Sequence, residues 1–229
     1  IYSCDKVEKI SVPSTLIVGK DNNLSFGFAG NSKDIMYFRI KSIMAQENYW
    51  YLHDNGMPGL KQQLQFYYDT FLKKQMPEDI KEAIQEVPSF LDTFTLALTQ
   101  MKKYKTRNLI IDLRGNSGGY TPIALVSLYK LFGDEYLNTD MGAHFSRRIS
   151  NLWLKKMNTT LADLNKKRET QYRLGDFTFE NPESATDKET KRRNLINKAM
   201  CSAAIKKQME KQNGLPLYKP ENVYVITDA

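Results

Sequence analysis

The sequence predicts an α/β fold with a mostly parallel sheet, and three observations carry that expectation. Short β-rich runs crowd the first 43 residues, and helical periodicity takes over after Pro58. A buried strand at residues 108–113 then runs through a glycine turn into a helix. With a later apolar run at residues 223–227, strand, helix and strand follow one another as β-α-β crossovers of a parallel sheet require.

Taken in order, Leu16-Ile17-Val18 and Leu24-Ser25-Phe26-Gly27-Phe28 read as strands, parted by the turn-rich cluster at residues 19–23. Ile35–Ile40 is dense in β-formers and reads as a third strand with at least one buried face. Leu60, Leu64, Tyr67, Tyr68 and Phe71 then recur at helical spacing. Pro77 opens a second helix, with Ile80 and Ile84 on one face. Phe90, Phe94, Leu98 and Met101 mark a third, for which Ser89 is the N-cap and Asp92 the first-turn carboxylate. Beyond the glycine turn, residues 123–132 form a buried helix ended by Gly133.

Residues 137–220 read as a basic, helical insertion before the last strand, with helical segments at 149–164 and 195–212 and a loop at 176–187. The organisation expected is one partial core over residues 1–229. It comprises a β-rich part at 1–43, helices with the strand, turn and helix at 58–133, the insertion at 137–220 and a closing strand at 223–229. The N-terminal strands either join the same sheet or form a small β-layer beside it.

A chain of 229 residues can bury a real core, and 41% hydrophobic with 26% charged residues is an ordinary globular composition. No apolar run approaches the roughly 20 residues that span a bilayer, so no integral membrane segment is expected. The net charge of +7 is scattered through helical stretches that interleave Lys and Arg with acidic or apolar residues. Such stretches are solvated faces, and no aromatic-rich or zinc-finger signature accompanies them, so nucleic acid is not expected as a partner. Cys4 and Cys201 are too few and too far apart for a disulfide framework or a metal site. Ile1-Tyr2-Ser3-Cys4 loosely resembles the end of a lipoprotein signal without its apolar region. With no initiator Met, the chain is expected to be a processed or partial product.

The functional centre falls at Asp112-Leu113-Arg114-Gly115-Asn116-Ser117-Gly118-Gly119. Asp112 ends a buried strand and needs partners, which Arg114 or nearby N–H groups can supply. Gly118 and Gly119 permit positive φ and leave backbone N–H groups uncovered at the start of a helix, where they favour a phosphate, a carboxylate or a developing oxyanion. Glycine spacing alone leaves that role level with a plain strand-to-helix turn. A phosphate loop lacks the Lys-Ser/Thr that would follow Gly119. A nucleophile elbow, Gly115-x-Ser117-x-Gly119, has the right context but leaves only His144 as base, with Asp140 too near to orient it. Helices upstream contradict a chymotrypsin-like barrel.

These eight residues resemble the Asp-Leu-Arg-x-Asn-x-Gly-Gly signature of the tail-specific, or C-terminal processing, serine peptidases, whose relatives include tricorn protease and the interphotoreceptor retinoid-binding proteins. Ile35–Ile40 is similar to that family's Tyr-x-Arg/Lys-Ile strand, and residues 223–229 resemble the strand that carries its nucleophile. The resemblance covers roughly half the chain and implies a ClpP/crotonase-like core. It further implies a serine-type endopeptidase acting on polypeptide through an acyl-enzyme, with no cofactor and no metal.

By the same resemblance Gly118 and Gly119 form the oxyanion turn, braced by Asp112, Arg114 and Asn116, and Ser117 is a turn residue. The catalytic Ser is expected just beyond Ala229, so no catalytic nucleophile or base is placed within this chain, which alone should be inactive. An extracytoplasmic location, periplasmic or at the cell surface with a lipid anchor, goes with the family. The alternative is a non-catalytic module holding a peptide or apolar ligand on the same fold. His53 and His144 read as structural, and the Tyr67, Tyr68 and Phe71 stripe as core.

Overall fold

The computed structural model describes residues 17–18, 22–116, 118–138, 145–180, 192, 195 and 203–228. Cys4, Cys201, Ser117, Asp140 and His144 lie outside the described residues. The chain divides into two compact units, one of residues 1–137 with 191–229 and one of residues 138–190.

The first unit is built on a five-stranded sheet. Its strands are β1 (Ile17–Val18), β2 (Leu24–Phe28), β3 (Ile35–Ile40), β4 (Asn108–Asp112) and, last in the chain, β7 (Asn222–Ile226), in the spatial order β1-β2-β3-β4-β7. The β1–β2 and β2–β3 pairs are antiparallel, and β3–β4 and β4–β7 are parallel. Four strands therefore run one way and β2 alone opposes them. The N-terminal strands join the main sheet rather than forming a separate layer.

Strand alternation decides which side chains face the helices. Met36, Phe38 and Ile40 of β3 and Leu109 of β4 are buried against α4 (Phe90–Tyr104) and α5 (Thr121–Phe132). The α4 stripe Phe90, Phe94, Ala97, Leu98 and Met101 meets the sheet through Phe38, whose ring stands edge-on to Phe94 at 5.3 Å and to Phe90 at 6.0 Å. Such aromatic pairs contribute about 0.5–1.5 kcal/mol each beyond the area they bury. Gly133 ends α5 with a φ of 61°, as expected for a helix stop.

Four shorter elements form a second layer: α1 (Gln46–Asp54), α2 (Leu60–Tyr67), a π-turn at Tyr68–Leu72, and α3 (Ile80–Glu86). Tyr49, Leu64, Tyr67, Tyr68, Ala83 and Ile84 are buried among them. Helix α3 begins three residues past Pro77, because Asp79 caps it by accepting from Glu82 N at 2.8 Å. His53 sits in the last turn of α1. The apolar residues of α1 lack a clean period, and its partners come from α2 and α3.

Buried Glu47 joins the two layers. Its carboxylate accepts from Ser89 Oγ at 2.6 Å, Leu91 N at 3.0 Å and Phe90 N at 3.2 Å, at the start of α4. Burial raises its pKa, while those same donors favour the charged form. Ser89 meanwhile caps α4 by accepting from Asp92 N at 3.0 Å, as its place in the sequence predicts.

The second unit holds an antiparallel pair, β5 (Phe145–Arg148) with β6 (Phe177–Glu180), and two helices, α6 (Asn151–Lys156) and α7 (Leu161–Arg168). Ser150 and Thr160 cap the helices, and Ile149, Leu154 and Leu164 form a small core. Two expectations are corrected here. The single helical segment at 149–164 is two helices, because Thr160 caps the second. The loop read from 176 onward contains β6, whose Phe-Thr-Phe-Glu alternation is too short to stand out without its partner. Helix α8 (Ala203–Gln212) belongs to the first unit, where Met209 is buried in the core.

Ser89→Ala removes the cap of α4 and one donor to Glu47. The variant is expected to lose about 1–2 kcal/mol of unfolding free energy in urea titration.

Candidate active site

The site starts from the end of β4. Leu109 and Ile111 pack on the helical layer, so Ile110 and Asp112 face the opposite side of the sheet. Asp112 is fully buried and accepts four hydrogen bonds. Arg114 donates to Oδ1 from its backbone N at 3.0 Å and from Nε at 2.9 Å, and to Oδ2 from Nη2 at 2.7 Å. The Tyr37 hydroxyl donates to Oδ2 from β3. Burial pushes the Asp112 carboxyl upward, but the bonds from Arg114 and Tyr37 outweigh it and hold the pKa well below the usual carboxylate range. Burial, and next the bond to that carboxylate, raise the Tyr37 phenol above its ordinary value. Asp112 is therefore a fixed anion that braces the turn, with no proton to exchange near neutral pH.

Asn116 N donates to Leu113 O at 2.9 Å and closes the turn, with Gly115 at a φ of 75°. The Asn116 side chain then clamps two segments. Its Nδ2 donates to Ile40 O at 3.1 Å, and its Oδ1 accepts from Gly118 N at 2.7 Å. The backbone beyond is laid against Ile43, with Ile43 N donating to Gly118 O at 3.0 Å and Tyr120 N to Ile43 O at 2.9 Å. Between these bonds the N–H and C=O of Gly119 point away from Ile43, as those of the intervening residue of a parallel bridge do. Its N–H makes no hydrogen bond among the described residues, and the residue is exposed.

The two glycines are required for different reasons. Gly118 has a φ of 104° and open space where a Cβ would sit. Gly119 has a φ of 148°, and a Cβ there would lie 2.3 Å from Ile43 O. Only glycine fits so close to another backbone.

The end of β7 is tied to the same turn. Leu113 N donates to Ile226 O at 2.8 Å, and Gly115 N to Asp228 Oδ2 at 2.9 Å. Chain leaving β7 therefore passes beside the glycine turn, at the C-terminal ends of parallel strands where open α/β sheets place their functional groups.

A cavity of about 380 Å³ opens against Gly118 and Gly119, walled by Met44, Tyr49, Tyr67 and Phe71, with Gln62, Gln63 and Phe66 also lining it. Sequence reasoning places Asp112, Arg114, Asn116, Gly118 and Gly119 together, and the structure brings all five into one turn. It does not reveal the cavity. The aromatic stripe read as core divides between two jobs: Tyr68 is core, bonded to Ala83 O and Glu86, whereas Tyr67 and Phe71 also face the cavity. Three aromatics within five residues are the only trace of this in the sequence. His53 is not among the lining residues, and its Nδ1 lies 2.9 Å from Asp54 Oδ1.

A sheet of this order, with helical crossovers and a braced glycine turn at the end of β4, defines an α/β protein with a ClpP-like core. The model of peptidase family S41 matches residues 83–228, and the chain belongs to that family. No curated protein and no solved structure matches it significantly. No helix among the described residues is long and apolar enough to cross a membrane.

Two predictions test the turn. Gly119→Ala should unfold the turn or the protein, whereas Gly118→Ala should cost only about 1–2 kcal/mol for its left-handed backbone, as read by thermal melts of both variants. Because the Asp112 pKa is lowered by folding, its contribution is present above the unfolded carboxylate value, about 4, and is lost as pH falls below it. Asp112→Asn is expected to be less stable by about 1.5–3 kcal/mol at pH 7 and to show a smaller loss on acidification in urea melts.

Proposed function

We propose that the chain is the core of a serine-type endopeptidase that hydrolyses polypeptide through an acyl-enzyme, with the Gly119 N–H as an oxyanion donor. The observation that carries this is the unpartnered, exposed N–H of Gly119, held in a turn where the other described backbone N–H groups from Leu113 to Tyr120 are engaged. The Gly118 N–H is committed to Asn116, so Gly118 serves through its conformation and its carbonyl. A donor held rigid where negative charge develops can supply roughly 2.7–4 kcal/mol to acyl transfer.

In this reading the nucleophilic Ser follows β7, which the bonds from Leu113 and Gly115 steer toward the turn. Its Oγ adds to the scissile carbonyl carbon as a general base takes the hydroxyl proton, the same proton that later goes to the amine, and the carbonyl electrons move onto the oxygen facing Gly119. The C–N bond then breaks as a proton passes to the leaving amine, and water releases the acyl group. Asp112, Arg114 and Asn116 are positioning residues. The extracytoplasmic location expected of the family belongs to the same proposal, with cell fractionation as its test.

A fluorophosphonate probe should label the full-length protein at a Ser beyond β7; absence of labelling would favour a non-catalytic binding module on the same fold. Ser117→Ala should keep activity within about tenfold, since this reading puts the nucleophile after β7; its abolition would instead support the nucleophile elbow. Asn116→Ala releases the clamp on the turn and should lower kcat by about 10²-fold with little change in KM.

A further inference from the structure

The cavity beside the glycine turn is built by a part of the chain that the family match does not reach. Apart from the two glycines, every lining residue lies between positions 42 and 71, and the match begins at residue 83.

Three features define what it would accept. Among the described residues no Asp, Glu, Lys, Arg or His lines it, so a charged group entering would lose water without gaining a partner. Its volume of about 380 Å³ lies within the roughly 300–1,000 Å³ of small-ligand pockets, far more than a methyl side chain needs. Its walls are already in place. The Tyr67 hydroxyl accepts from Asn23 Nδ2 at 3.3 Å, the Tyr49 hydroxyl donates to Gln63 O at 3.4 Å, and the two rings meet edge-on at 5.7 Å. The π-turn after α2 brings Phe71 beside Tyr67, with ring centroids 4.9 Å apart, and Asn22 N holds the turn by donating to Phe71 O. Such π-turns often mark functional positions in helices.

Gly118 and Gly119 form part of the same wall. A substrate carbonyl resting on the Gly119 N–H would thus lie beside this cavity, with the side chain of its own residue within reach of it. We infer that this cavity selects a large uncharged side chain, aromatic or long aliphatic, on the acyl side of the scissile bond, with Met44, Tyr49, Tyr67 and Phe71 as its specificity determinants. The inference rests on the peptidase reading above.

The test uses the full-length protein with fluorogenic peptides that differ only at the residue on the acyl side. Phe, Tyr, Leu or Met there should raise kcat/KM roughly tenfold or more over Ala, and over Asp or Lys. Met44→Trp should fill the cavity and reverse the order of Phe and Ala. Gln62→Glu, on the exposed face of α2, should raise cleavage after Lys and serves if the first variant does not fold. Labelling by the fluorophosphonate probe with equal rates for Ala, Phe and Lys peptides would overturn the pocket and leave the peptidase intact. An unchanged profile in a folded Met44→Trp variant would do the same. Absence of both labelling and cleavage would overturn the two together.

Discussion

Two backbone hydrogen bonds straddle Gly119, from Ile43 N to Gly118 O and from Tyr120 N to Ile43 O. They lay the segment after β4 alongside the segment after β3, although the two are some 75 residues apart in sequence. A Cβ at position 119 would stand 2.3 Å from Ile43 O, so the contact exists only because that residue is glycine. The bonds consume the polar groups on one side of the segment and leave the Gly119 N–H facing the other. The position of the donor, the mouth of the cavity and the start of α5 all follow from this one close approach.

Buried polar groups then hold the surroundings in register. Asp112 gathers Arg114 and Tyr37 around the end of β4, and Asn116 bridges Ile40 O and Gly118 N. Asn23, almost fully buried, accepts from Ser42 N and donates to Met44 O and the Tyr67 hydroxyl. Each is expensive to desolvate and settles only where every partner is present. Glu47 does the same at the start of α4 and so couples the aromatic layer of α1–α3 to the sheet. The turn is supported from below by a carboxylate, from the side by an amide and from behind by backbone.

The relation to the sequence differs from element to element. Strands β2 and β3, the stripe of α4 with its Ser89 cap, and the Gly133 stop of α5 are local patterns, and each falls where its pattern places it. Helix α1 and strand β6 escaped because neither carries a period long enough to read, and their stability comes from partners distant in sequence. The basic stretches at residues 102–107 and 155–168 carry exposed Lys and Arg, as solvated helix faces do.

The sequence by itself determined the α/β order of elements, the family signature and the five residues of the turn, because these are contiguous and their glycines, carboxylate and amide have few other uses in such a setting. Only the tertiary structure decided which glycine keeps a free donor, since that depends on Asn116 and Ile43 taking the bonds on either side. It alone decided that Tyr49, Tyr67 and Phe71 face the turn across a cavity, because apolar periodicity marks a side chain for burial without saying whether the space beside it is filled.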